Sequence, residues 1–351
     1  MIDEIDSLLE KLSNANSASG SENEVREIVK EEISEYVDKT KRDDFGNLIC
    51  TKKGKENAPE LMLAAHMDEI GLMVKHIQDD GYIRAIKLGG WFDQTLLNQR
   101  VVIHTEEGSH FGVIGCKPPH LMRDKDGEEI VKQEEMFIDV GAEDAEEARE
   151  MGIEEGNSIT MDREYKKLNN NLVTGKSFDN RVGVACMILA LKEIDTEATI
   201  HAVGTTQEEV GLKGAKVSTF NVDPDLGLAL DVCLAGDQPD IEDKESSIEL
   251  EKGPAFTVAD RSGRGIITPK KVLDLLKKSA KKEDVSYQLD VMKGGTTDAT
   301  AISLSRSGIP SGVLSIPTRN VHTPVEVVSL NDMKKGIKVL SRVLEEASDW
   351  V

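Results

Sequence analysis

The sequence predicts an α/β protein with a mostly parallel central sheet flanked by helices, interrupted by an inserted all-β, barrel-like domain. Three observations predict it. Helical stripes alternate with short buried-strand runs towards both ends of the chain, whereas the stretch from about Glu69 to Lys167 carries closely spaced strands with glycine-rich turns. The 351 residues also exceed what one hydrophobic core usually fills, so two domains are expected. Residues 1–68 and 168–351 read as one domain split in sequence, and residues 69–167 as the insert.

In chain order, Ile2, Ile5, Leu8, Leu9 and Leu12 share a helical face. A second helix is expected behind Ser21, whose S-x-x-E spacing to Glu24 is that of a capping box. Its stripe is Val25, Ile28, Val29, Ile33 and Val37. Strands follow from Leu48 and over Leu61 to Ala65. The insert supplies strands at Gly71, Tyr82, Arg100, Phe111 and Glu135, with a helix around Asp144 to Met151. Beyond it come a helix over Asn180 to Lys192 and strands over Thr199 to Gly204 and Leu226 to Leu230. A helix capped at Thr268, a strand over Ser286 to Val291, a helix from Ala299 and a strand over Gly312 to Ile316 follow. The last helix starts at Ser329 with the stripe Met333, Ile337, Leu340, Val343 and Leu344.

Lys plus Arg number 43 against 65 Asp plus Glu, a formal net charge of −22, which argues against nucleic acid or an anionic membrane as a partner. The 13 arginines leave 30 lysines, too many for a strict high-salt specialist. Cys50, Cys116, Cys186 and Cys233 lie far apart with no CxxC pair, so neither a disulfide framework nor a thiolate metal site is expected. The start is acidic where a signal peptide would be basic, and Val182 to Leu191 is too short to span a bilayer; the expected location is the cytoplasm.

Open α/β sheets place their chemistry beyond the carboxyl ends of strands. There the sequence sets His66 and Asp68, then Glu208 and Glu209, then Asp231, then His322; Asp179 stands just before the Asn180 helix. Two imidazoles and several carboxylates without sulfur form the ligand mix of zinc, cobalt or manganese. With Asp179 as a bridge, His66 and Asp231 complete one divalent ion, and Glu209 and His322 a second. Glu208 is then left free to act as general base on a water shared by the ions, while Asp68 can receive the other ring N–H of His66. Asp179 alone is equally an N-cap, and Asp298, in Gly294-Gly-Thr-Thr-Asp298, is either part of the site or a helix cap. His201 reads as a satisfied core residue, and His76, His104 and His110 as surface residues of the insert. His120 is a residue that could reach the substrate; the charged run 123–129 reads as a solvated loop.

His66-Met-Asp68-Glu-Ile-Gly, Ser177-Phe-Asp179-Asn-Arg, Gln207-Glu-Glu-Val-Gly-Leu-Lys-Gly-Ala215, Ala229-Leu-Asp231-Val and His322-Thr-Pro-Val-Glu326 occur in that order. Together they resemble the motifs of the glutamyl aminopeptidase and cellulase M-like metallopeptidases, which include the tetrahedral TET aminopeptidases. Gly112-Val-Ile-Gly-Cys-Lys-Pro-Pro-His120 and Phe137-Ile-Asp-Val-Gly-Ala142 resemble that family's dimerisation domain. The resemblance implies two metal ions held by His66, Asp179, Glu209, Asp231 and His322, with Glu208 as base and Asp68 in support. It also implies removal of N-terminal residues from short peptides and a hollow homo-oligomer, dimers gathered into a tetrahedral dodecamer. Gly295-Thr-Thr-Asp298 and Asn320 depart from the family's pattern beside the substrate pocket.

Three other readings compete. Paired carboxylates alone suit an endoglucanase-like glycoside hydrolase that needs no metal. A shell-forming scaffold would use metals only for stability, and a dinuclear carboxypeptidase would act on the other peptide end.

Overall fold

A computed structural model describes residues 1–118 and 130–350. His120 and the charged run 123–129 lie outside the described residues. The chain opens with two amphipathic helices, α1 (Ile2–Asn14) and α2 (Asn23–Ile33), which bury Ile5, Leu9, Leu12, Val25, Val29 and Ile33. The capping box expected at Ser21 does not form. Helix α2 starts behind Glu22, and the Glu24 carboxylate instead accepts the Asn16 N–H at 2.8 Å, which ties it to the loop between the helices. The hairpin β1 (Lys39–Arg42) and β2 (Leu48–Lys52) leads to β3 (Glu60–His66), which is buried from Leu61 onward as a strand covered on both faces must be.

The chain then leaves the sheet and closes a barrel of antiparallel strands. These are β4 (Gly71–Ile77), β5 (Ile83–Leu88), β6 (Arg100–Thr105), β7 (Gly108–Gly115), β8 (Phe137–Asp139) and, after the short helix α3 (Ala145–Glu150), β9 (Ser158–Met161). Their spatial order is β4-β5-β8-β7-β6-β9. Leu72, Val74, Ile83, Val101, Ile103, Ile114, Ile138 and Ile159 pack into a core of their own inside it. The closing strand β9 is missing from the sequence expectation: its Ser-Ile-Thr-Met alternates, but four residues are too short a run to mark a strand.

From the barrel the chain returns through β10 (Lys166–Lys167) and β11 (Leu172–Gly175), then α4 (Phe178–Glu193), β12 (Thr199–Thr205), α5 (Lys213–Val222) and β13 (Leu226–Leu234). It finishes with β14 (Ala255–Ala259), α6 (Lys270–Lys282), β15 (Gln288–Val291), α7 (Asp298–Ser303), β16 (Ser311–Arg319), β17 (Glu326–Ser329) and α8 (Leu330–Glu346). The sheet runs β1-β2-β12-β3-β13-β16-β17-β11-β10, with β14 paired to β16 and β15 to β14. Strands β12, β3, β13 and β16 are parallel to one another, so their carboxyl ends share one rim; β1, β2, β17, β11 and β10 extend the sheet by antiparallel pairing.

Two local expectations change. The Thr268 hydroxyl donates to the Thr257 carbonyl at 2.5 Å instead of capping α6, which begins behind Pro269. Strand β13 continues past Leu230, so Asp231 lies within it; its pairing with β3 stops at Ala229, and the same register carried on sets Asp231 level with His66 at the end of β3. Ser329 caps α8 as expected, accepting the N–H groups of Asn331 and Asp332, and the α8 stripe is buried. Among the described residues no helix is long and apolar enough to cross a membrane.

A buried ionic knot joins the N-terminal segment, β3 and α4. The Glu69 carboxylate accepts the Ser17 N–H at 2.9 Å, Lys176 at 2.8 and 3.0 Å, and Arg181 at 3.3 Å, while Arg181 also donates to the Leu12 carbonyl at 3.2 Å. Neutralising one partner leaves two cations buried without their counter-charge. Glu69→Gln is therefore expected to lower stability by about 3 kcal/mol in urea unfolding; a loss below about 1 kcal/mol would show that the knot does not hold these elements together.

Candidate metal centre

The parallel strands bring the sequence-predicted residues to one rim. His66 ends β3, Glu208 and Glu209 follow β12, Asp231 extends beyond the β3 pairing, and His322 lies in the loop after β16. Asp179 stands at the entrance of α4, where it and Asn180 are not yet helical. Asn180 anchors this entrance to β13, donating through Nδ2 to the Leu230 carbonyl at 2.7 Å. His66, Asp179, Glu208 and Asp231 are buried; Glu209 and His322 are half-buried.

Asp179 stands between the two imidazoles. Its Oδ1 is 3.1 Å from His66 Nε2 and its Oδ2 is 3.3 Å from His322 Nε2. Asp231 Oδ1 and Glu208 Oε2 each lie 3.9 Å from His66 Nε2, and Glu209 Oε1 is 3.4 Å from His322 Nε2. His66 with Asp179 and Asp231, and Asp179 with Glu209 and His322, each place one ligand atom per residue within 4.8 Å of the others; His66, Glu208 and Glu209 do so as well.

Both rings are held from behind through Nδ1. His66 Nδ1 donates to the main-chain carbonyl of Asp68 at 3.1 Å, with the Asp68 carboxylate at 3.6 Å. That carboxylate is engaged elsewhere: it accepts the Glu208 and Glu209 N–H groups at 3.0 and 3.2 Å and the Ser19 hydroxyl at 2.6 Å. His322 Nδ1 donates to the Gly90 carbonyl, 3.1 Å away, on the barrel segment between β5 and β6. In the neutral tautomer each arrangement leaves Nε2 as the electron-pair donor facing Asp179.

Sequence reasoning missed two supports. Glu326, buried, accepts the Asp179 N–H through Oε2 and the His322 N–H through Oε1, both at 3.0 Å, so one carboxylate spaces two site residues. It stood inside a recognised motif, four residues after His322, and that spacing was the available signal. Gly90 gave none. A Cβ there would lie 2.7 Å from His322 Nδ1, so only glycine lets the ring approach. Ser177, Gln207 and His322 have φ of 60°, 54° and 60°, a costly conformation for non-glycine residues that clusters where the surroundings force a side chain into place.

Charge explains what the cluster can hold. Burial pushes Glu208 and Asp231 well above the carboxylate range, with neighbouring acids adding to the push. Glu209 is also raised, by burial first and then by Asp179. Burial opposes protons on the imidazoles, yet the facing carboxylates hold His66 well above its ordinary value and His322 up to about 12. Hydrogen bonds from His322 and His66 outweigh the burial of Asp179 and keep it below the usual range. The two rings cannot neutralise this much buried acid, and an all-nitrogen-and-oxygen donor set of this kind fits divalent cations.

Residues at the edge of the prediction sort as follows. Thr297, not Asp298, caps α7, because its hydroxyl accepts the Ala299 N–H; Asp298 instead accepts the Thr205 hydroxyl at 2.5 Å, and burial pushes it up to about 6. His201 is satisfied in its strand by Thr51 at 3.1 Å and Glu60 at 2.8 Å. His76 is exposed, His104 meets the Thr160 hydroxyl at 2.9 Å, and Cys50, Cys116, Cys186 and Cys233 are free thiols. A cavity of ≈ 720 Å³ opens from the acid cluster between Leu234, the segment 243–247 and β15.

A family model described as M42 glutamyl aminopeptidase matches residues 46–339. The chain is 37% identical over 344 residues to a lysyl aminopeptidase of Pyrococcus furiosus, covering 97% of this chain and 96% of the relative. Its structure is similar to that of an aminopeptidase from the archaeon Desulfurococcus kamchatkensis, with a TM-score of 0.96, 42% identity and coverage of 99% and 97% of the two chains. It is also similar to the Pyrococcus horikoshii TET1 peptidase, which can assemble into a tetrahedron or a large octahedral shell, with a TM-score of 0.88, 32% identity and coverage of 97% and 99%. With this fold, this rim of acids and imidazoles, and a match over most of its length, the chain belongs to the M42 glutamyl aminopeptidase family of peptide-bond hydrolases.

Proposed function

We propose that the chain is a dinuclear metal-dependent aminopeptidase that removes N-terminal residues from short peptides. The observation that carries this reading is Asp179, whose two oxygens face His66 and His322 separately. His66, Asp179 and Asp231 would hold one divalent ion, and Asp179, Glu209 and His322 the other, with zinc or cobalt as the expected metals and manganese a third candidate. When bound, such ions supply Lewis acidity for the peptide carbonyl and lower the pKa of water at the site.

The remaining work falls to the chain's own groups. Glu208, buried and outside the two ligand sets, takes a proton as the water oxygen bonds to the carbonyl carbon. It returns that proton to the nitrogen as the C–N bond breaks. Asp68 fixes the Glu208–Glu209 backbone, and its carbonyl fixes the His66 tautomer. Glu326 keeps Asp179 and His322 in register. Residues 1–68 and 168–351 form the catalytic domain in this reading and residues 69–167 the dimerisation domain. The assembly is a tetrahedral dodecamer built from dimers, in the cytoplasm.

Four outcomes are expected. Full metal removal by a chelator abolishes cleavage of amino-acid anilides and divalent ions restore it; retained cleavage after full removal would overturn the metal-dependent reading. Glu208→Gln, loaded with metal to the wild-type level, loses about 10³-fold in kcat, and comparable turnover would remove Glu208 from the base role. Gly90→Ala pushes His322 off its carbonyl partner and weakens metal binding by about tenfold with the fold intact by circular dichroism; unchanged affinity in a metal titration would show that the barrel does not seat the ring. For the assembly, Phe111 is 70% exposed on the barrel, and Phe111→Asp is expected to shift sedimentation to a smaller species.

A further inference from the structure

Strand β15 is an edge strand: among the described residues it pairs only with β14, and no strand lies along its other side. We propose that this open edge binds the substrate's backbone beyond the scissile bond, so that an extended peptide adds as a further strand beside β15. The proposal rests on the aminopeptidase reading above and narrows its substrates to linear peptides with several extended residues behind the first.

Two hydrogen bonds set the direction of the backbone groups. Gln288 donates its N–H to the Pro254 carbonyl and Met292 to the Ala259 carbonyl, both at 2.9 Å, so these residues face β14. Main-chain groups alternate along a strand, and Leu289 and Val291 therefore turn their N–H and C=O away from β14. The Val291 N–H is within reach of the Asp290 carboxylate, which leaves the Leu289 N–H as the free donor. Both ends of the strand are held in place. The Gln288 side chain accepts the Glu249 N–H at 2.9 Å and donates to the Glu249 carbonyl at 2.8 Å, and the Met292 carbonyl accepts the Ser262 N–H at 3.1 Å.

The open edge faces the cavity that leads from the acid cluster. Leu289, Asp290 and Val291 all line it, although Asp290 points to the opposite face from its two neighbours and is 7% exposed where they are 42% and 71% exposed. Three consecutive residues border one cavity when a strand presents its edge to it. The lining continues from Met292 to Thr297, directly before Asp298, which accepts the Thr205 hydroxyl at the end of β12, three residues before Glu208. The chain path from the carboxyl end of β15 thus leads back to the acid cluster. A peptide with its first residue at the cluster runs the other way, antiparallel to β15.

Exposed edges are normally blunted by lysine, proline or a covering segment, because unpaired N–H and C=O groups invite another strand. Neither lysine nor proline stands between Gln288 and Met292, and the outward side chains are apolar. Strand addition draws its affinity from main-chain bonds and tolerates varied side chains. That suits an enzyme that meets a new sequence after every cut.

Initial rates of the metal-loaded enzyme on leucine p-nitroanilide and on leucine-headed alanine peptides of two to six residues test this. The value of kcat/KM is expected to rise at least about tenfold from the dipeptide to the hexapeptide, mainly through KM. Single N-methylation of the hexapeptide at positions three to six removes one donor at a time and should cost at least about fivefold at alternate positions only. Leu289→Pro, which removes an N–H that β14 does not use, should lower the hexapeptide-to-anilide ratio of kcat/KM about fivefold with an unchanged circular dichroism spectrum. Leu289→Ala keeps that N–H and should keep the ratio. A rate independent of peptide length, losses without alternation, or a Leu289→Pro ratio equal to the wild-type ratio overturns the edge pairing while leaving the aminopeptidase reading standing. A Leu289→Pro variant that changes sedimentation but not the ratio would overturn it too, by assigning the edge to a second copy of the chain. No cleavage of any of these substrates by the loaded wild type would overturn both readings.

Discussion

Acidic groups confined together and shielded from water are the constraint around which this molecule is arranged. Asp68, Asp179, Glu208, Glu209, Asp231 and Glu326 converge at one end of the parallel strands, where the low-dielectric surroundings make every unneutralised carboxylate costly. Two imidazoles offset a part, and backbone N–H groups offset more: Asp68 takes two from the loop after β12, and Glu326 takes one from each of Asp179 and His322. What is left over calls for cations. The rest of the fold serves this concentration by fixing the acids at spacings that side-chain entropy alone would not hold.

That fixing is done by groups some distance from the chemistry. The Glu69 knot secures the start of α4, hence Asp179, to the end of β3, hence His66. Asn180 pins the same entrance to β13. The barrel contributes the carbonyl that holds His322, with glycine at residue 90 because a side chain there would strike the ring. The insert is therefore part of the wall of the site as well as a separate core.

Much of this was legible in the sequence, for physical reasons that differ between residues. His66, Glu208, Glu209 and His322 follow apolar runs of strand length, and acids or imidazoles there are hard to explain as solvated surface. Asp231 was found although its strand runs further than its apolar pattern suggests. Strand β9 and the pairing of β14 with β15 were not legible: a four-residue run is too short to mark a strand, and pairing between segments distant in sequence leaves no local pattern. The capping box at Ser21 failed because Glu24 had a tertiary partner in Asn16 that no local pattern reveals. Gly90 was beyond reach for a deeper reason: its role is a backbone carbonyl and an empty volume, and a Gly-Gly pair between strands reads in sequence simply as a turn.

The proposed ligands are spread from residue 66 to residue 322 of a 351-residue chain, with the whole barrel between the first and the second. A chain emerging from the ribosome accordingly lacks His322 and Glu326 until nearly all of it has been made. The site is thus completed only when the C-terminal segment folds back onto β3 and α4, so no N-terminal fragment of the chain can carry it whole.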